Sequence, residues 1–112
     1  MSVPNLNRKL ALQDPVRTPD GAGGWSVTWT TLGHLWAEVR HGRGRALTVA
    51  TLDVARVPLN IIVRAAPVGD DRRPRAEQRL VDGGRVYRIL AVREVGTEAR
   101  FLDCVAEEEV VA

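Results

Sequence analysis

The chain has 112 residues, 45% of them hydrophobic and 27% charged, with a formal net charge of +2. That length supports one domain with a modest core, and the composition excludes an intrinsically disordered chain. So small a charge excess also argues against a dedicated nucleic-acid binder, even though every basic residue except Lys9 is arginine.

Residues 1–6 read as a short arm, since Pro4 and Asn5 oppose regular structure. The N-terminus lacks the apolar stretch of a signal peptide, and no apolar run approaches the ~18–20 residues that span a bilayer. The expectation is a protein made and kept in a cytoplasm, with no membrane partner. Residues 7–13 alternate as a first strand, which Asp14-Pro15 is expected to stop. Thr18 to Gly24 is turn chemistry throughout, with Pro19-Asp20-Gly21 at its centre.

The stretch Gly24–Arg40 organises the rest. Trp25, Val27, Trp29 and Thr31 alternate with Ser26, Thr28 and Thr30, the period of a strand with one buried face. A second alternation runs from Leu35 to Arg40, and Gly33 between the two marks a bulge or bend. All three tryptophans lie here, and Trp25, Trp29 and Trp36 are expected in the core together with Tyr87, Ile89 and Phe101.

Residues 41–58 are the least regular part. They fit either a poor strand or helical spacing at Leu47, Ala50, Val54 and Val57, and a long loop with a short helical turn is expected. A loop of that length in so small a domain usually has a job. Residues 59–66 form a strand ended by Pro67, and 68–75 form a charged loop. Residues 76–82 and 86–95 form strands around an Asp82-Gly83-Gly84 turn. Gly96 turns the chain into a last strand over 100–106, followed by a solvated acidic tail over 107–112. The sum is an all-β fold, a small barrel or sandwich of about six antiparallel strands in one domain spanning 1–112.

Catalytic chemistry is not legible. His34 and His41 have no ligand-type spacing, and Cys104 is a lone cysteine in an apolar run. Asp70-Asp71 and Glu107–Glu109 sit in hydrophilic segments, where burial does not tune a carboxylate. The Gly21–Gly24 and Gly42–Gly44 clusters lack the lysine and helix of a phosphate loop. No enzyme activity, metal or cofactor is expected. What remains is a basic middle, with eight arginines against four acids between His34 and Arg75. Arg40, Arg43, Arg45 and Arg56 form one group, and Arg72, Arg73 and Arg75 a second. Arginine in loops suits phosphate or an acidic protein surface.

The order of features resembles the small phage head–tail joining proteins, also called head-completion or stopper proteins, of siphophages and gene transfer agents. The resemblance rests on Leu35-Trp36-Ala37-Glu38-Val39, the Gly42-Arg43-Gly44-Arg45 pair, and Gly84-Arg85-Val86-Tyr87-Arg88-Ile89 in that order. An opening strand at Arg8–Leu12 and the closing Arg100–Cys104 extend it over nearly the whole chain. Ala46 departs from the glutamate such proteins often carry there. The resemblance implies a homo-oligomeric ring, usually a hexamer, in the neck of a particle assembled in a bacterial cytoplasm. Its implied neighbours are the portal or adaptor ring, the tail terminator or tail tube, and double-stranded DNA in the channel. Residues 41–58 would be the loop that meets DNA or a neighbouring subunit. Two other readings stay open at this point: a tail terminator or tail-completion ring protein, and a free-standing small barrel that binds nucleic acid.

Overall fold

The structure is a computed structural model, and it describes residues 3–41, 58–96, 98 and 100–109. Six antiparallel strands run in chain order: β1 Arg8–Pro19, β2 Trp25–His41, β3 Pro58–Arg64, β4 Arg79–Asp82, β5 Arg85–Val95 and β6 Phe101–Glu108. They close on themselves in the order β1-β2-β3-β6-β5-β4, with β4 returning to pair with β1. Closure of this kind satisfies both edges of every strand that takes part over its full length. No helix occurs among the described residues, and the helical turn expected within 41–58 falls outside them.

The core follows from alternation. Leu10 and Leu12, Leu59, Ile61 and Val63, Tyr87 and Ile89, and Leu102, Cys104 and Ala106 all point into one cluster, joined by Ala37 and Leu80. Each such aliphatic side chain contributes about 1.5–3 kcal/mol by leaving water. Tyr87 and Ile89 therefore lie in the core, whereas Phe101 is half-buried at its rim.

The tryptophans do not lie there. Trp25 is 67% exposed and Trp36 56% exposed, and Trp29 is only partly covered. The physical reason is pairing, not alternation. β1 pairs with β2 from Trp25 to Ala37 and β3 only from Ala37 to His41, so β2 has a neighbour on both sides only at Ala37. Over Trp25–Thr31 its one partner is β1, whose residues 14–19 have no other. Past its root, where Gln78 and Arg75 meet Asp14 and Arg79 meets Trp29, this outer half of the hairpin projects from the barrel with no further strand beside it.

The strand bounds differ from expectation for related reasons. Asp14-Pro15 does not end β1, which runs on to Pro19. Beyond Gln13 no third strand needs an N–H donor from Pro15 or Pro19, so proline is tolerated in this edge position. The two alternations of β2 belong to one strand, interrupted by a bulge beside Gly33. Leu12 pairs with Gly33 and Gln13 with Thr31, which leaves Leu32 as the extra residue. β4 begins at Arg79 instead of 76 because Glu77 takes a positive φ of 75°. The last strand runs on into the acidic segment, since Glu107 and Glu108 belong to β6 and pair with Arg88 and Tyr87, while Glu108 and Glu109 are exposed as expected.

Candidate functional site

The direction of the strands sorts the loops onto two poles. β2 runs toward the pole where it ends at His41, and β3 starts from the same pole, where Leu59 faces His41. The Asp82–Arg85 turn and the end of β6 lie there too, because Tyr87 pairs with Glu108. The segment joining Arg64 to Arg79, the β5–β6 turn and the tip of the β1–β2 hairpin occupy the opposite pole. Of the basic middle, Arg40 therefore sits near one pole and Arg72, Arg73 and Arg75 at the other.

Of the first group, Arg40 is described and already engaged. Its Nε and Nη2 both donate to Oε2 of Glu38 at 2.8 Å. Arg43, Arg45 and Arg56 lie outside the described residues. The second group is mostly structural. Arg73 donates from Nη1 to the Ala66 carbonyl at 2.9 Å and approaches Glu94 at 3.5 Å, so it ties the loop to β5. Arg75 lies 3.4 Å from Asp14. Its backbone N–H donates to Oε1 of the buried Gln78, whose Nε2 in turn donates to Asp14 at 2.9 Å. Arg72 is exposed, as is Arg75, and the Arg72 backbone N–H donates to Oδ1 of Asp70 at 2.8 Å. A cleft of about 290 Å³ lies between this loop and Leu32, but its acids and arginines are interleaved and present no single charge to a ligand.

The side chains considered for chemistry are dispersed. Among the described residues no three His, Cys, Asp or Glu side chains converge as a metal site would require. His34 and His41 are both exposed. The Cys104 thiol is pushed up to about 12 by burial and, secondarily, by the charge of Asp103, which leaves it no thiolate to act as a nucleophile.

The feature that alternation alone misreads is the outer face of the β1–β2 sheet. Cross-strand pairing sets Trp25 beside Pro19, Val27 beside Arg17, Trp29 beside Pro15 and Trp36 beside Lys9. The extra residue at Leu32 shifts the parity of β2. Trp25, Val27 and Trp29 thereby come to the same outer face as Trp36, opposite in parity to the buried Ala37. The root of the projecting arm is braced across three strands. Gln13 Nε2 donates to Thr31 at 3.1 Å, Arg79 Nε donates to Gln13 Oε1 at 2.7 Å, and the Arg79 guanidinium lies 4.1 Å from the Trp29 ring centroid. The tip is braced by Asp20, whose Oδ1 accepts the N–H groups of Ala22 at 2.8 Å and Gly24 at 3.0 Å. Those bonds hold the Asp20 carboxyl below its usual range. A side chain at Gly24 would meet Asp20 Oδ2 at 2.7 Å and turn that carboxylate aside. The arrangement is a rigid, sparsely charged arm with exposed indoles, which suits contact with protein.

Comparison with known proteins agrees with a structural part. Residues 1–109 match the sequence profile of the phage head completion proteins. A chain in the virion of a native gene transfer agent particle is 51% identical with a TM-score of 0.82, covering 98% of this chain and 100% of that one. A Shigella flexneri 2a protein, solved in solution, is 20% identical with a TM-score of 0.70 over the whole of both chains, and shares the fold. No curated protein is similar enough to count as a relative. The chain belongs to the phage head completion protein family.

Proposed function

We propose that this chain is a structural connector of a phage-like particle, a head-completion subunit that sits in the neck and joins the filled head to the tail. The observation that carries this reading is the 51% identity, over essentially the full length of both chains, to a component of a gene transfer agent virion. In this reading the chain performs no reaction. It is repeated around the channel axis as a ring, in the number that matches the tail, which makes a hexamer the natural count. Above it lies the portal or adaptor ring, below it the tail terminator or tail tube, and double-stranded DNA fills the channel.

The two-pole arrangement supports a division of labour. Arg43, Arg45 and Arg56 lie in sequence between His41 and Pro58, two residues that face the pole away from the tip of the tryptophan arm. They are the arginines proposed to meet DNA phosphate or a neighbouring subunit. A few charges per subunit become a dense belt when multiplied by a ring. Arg72, Arg73 and Arg75 are excluded from that belt by their place at the other pole.

Deletion of the gene in a producing host tests the role. Electron microscopy is expected to show DNA-filled or leaking heads without tails, and normal tailed particles would contradict the proposal. Arg43→Ala with Arg45→Ala separates the loop from the scaffold. The variant chain is expected in particles that lose DNA, measured as nuclease-accessible DNA. Particles as tight as the wild type would remove the loop from DNA retention.

A further inference from the structure

Five large apolar side chains stand exposed on strands. Val16, Trp25, Val27 and Trp36 belong to the β1–β2 sheet, and Leu90 stands at a bulge on β5. In the closed order β1-β2-β3-β6-β5-β4, β2 and β5 are three places apart in a ring of six and so form opposite walls. We propose that the outer face of β2, centred on Trp36 with Trp25 and Val27, docks against the outer face of β5 around Leu90, Arg88 and Arg93 of a second copy of this chain. The inference rests on the connector reading, because it names the surfaces that close that ring.

Three observations favour a second copy as the occupant. First, the two apolar surfaces differ and lie on opposite walls. A contact between them is head-to-tail and propagates around an axis, whereas β2 against β2 would stop at two copies. Second, the chemistries match. Indole faces attract guanidinium groups, and Arg79 already lies over Trp29. Among the described residues no cation covers Trp25 or Trp36. The opposite wall presents Arg88 and Arg93 beside Leu90, and Arg93 is 71% exposed while Asp103 fixes its direction through bonds of 2.9 and 2.7 Å. Third, the area is that of a ring contact. Trp25 and Trp36 at these exposures, with Val27 on the same face, offer roughly 400 Å², about half of what one side of a stable pair buries. The isolated chain is therefore monomeric at ordinary concentration, and the contact persists where neighbouring rings hold copies together.

Disulfide trapping in the full chain tests this. The natural Cys104 is buried and stays silent, so Trp36→Cys and Leu90→Cys together supply the reactive pair. Mild oxidation of particles and of concentrated protein is expected to give a covalent ladder beyond the dimer from the double variant, while each single variant gives none beyond trace dimer. Efficient dimerisation of the Trp36→Cys single variant would set β2 against β2 and overturn the proposal. Absence of cross-links from the double variant would overturn it too. If Trp36→Cys fails to fold, Lys9→Cys, its cross-strand neighbour, replaces it with the same expectations. The amount of wild-type chain in the same particles reads the connector role separately. Chain present but not cross-linked fails this interface alone, and chain absent from particles fails the connector reading.

Discussion

β3 and the outer half of β2 are both apolar-rich strands, and they have opposite fates. In β3, Leu59, Ile61 and Val63 are buried inside, and Ile62, on the outer face, is 3% exposed because β2 and β6 flank it. In β2, Trp25 and Val27 stand in solvent with β1 as their only neighbour. Alternation establishes that a strand has two faces. It does not say whether a second layer covers either one, and that depends on how far the neighbouring strands extend. The shorter β3 and β4 leave the hairpin unsupported beyond Gln13 and Trp36, which turns an apparent core into a surface.

The contrast breaks if the two regions respond alike to truncation. Ile61→Ala is expected to cost about 2–5 kcal/mol of unfolding free energy by urea titration. Trp25→Ser and Trp36→Ser are each expected to stay within about 0.5 kcal/mol of wild type. A tryptophan variant as damaged as Ile61→Ala would place the indole in a core after all.

A smaller effect sharpens the buried side. Asp103 faces outward from β6 yet is only 4% exposed, because Asn60 and Arg93 cover it with hydrogen bonds. Asp103→Ala is expected to cost about 1–3 kcal/mol, since it leaves the Asn60 amide half-buried without its acceptor. Tyr87→Phe is expected to stay within about 1 kcal/mol of wild type, because the buried Tyr87 hydroxyl makes no well-aligned hydrogen bond among the described residues and interacts with the exposed Arg85 guanidinium at most weakly. A larger loss of stability in that variant would reveal a partner for the hydroxyl.

The smallest effect is local to the arm. The folded pKa of Asp20 is lowered from an ordinary value near 3.8. Its contribution to tip order is therefore complete above that value and is lost as pH falls through the lowered pKa. Hydrogen exchange at the Ala22 and Gly24 amides is expected to lose protection over that acid range while the barrel amides keep theirs. Simultaneous loss would mean that the arm and barrel open together.

Much of the fold was legible because turn chemistry and alternation are local. Asp82-Gly83-Gly84, Gly96 and the β3 run set strand number and order directly. The limits arose where pairing is non-local. Nothing near Pro15 reveals that its N–H is not needed, and nothing near Trp36 reveals that β3 ends at Arg64. The family-type motifs at Leu35–Val39 and Gly84–Ile89 were legible as sequence, and the family match bears them out. The charged loop at 68–75 read as a basic group suited to phosphate or an acidic surface, yet Arg73 and the neighbouring Gln78 are ties that hold it to β5 and β1. Only the fold's return of β4 to β1 brings Asp14 within reach of a residue 64 positions away.

In the proposed connector role this barrel works by repetition around a channel, with its tryptophan face outside its own core. Electron microscopy of an intact particle, reconstructed at the neck, is the decisive test. A closed ring of copies of this barrel is expected between head and tail, with the Trp36 face of each against the next. A neck built without this chain, or a single copy with its tryptophan arm in solvent, would contradict it.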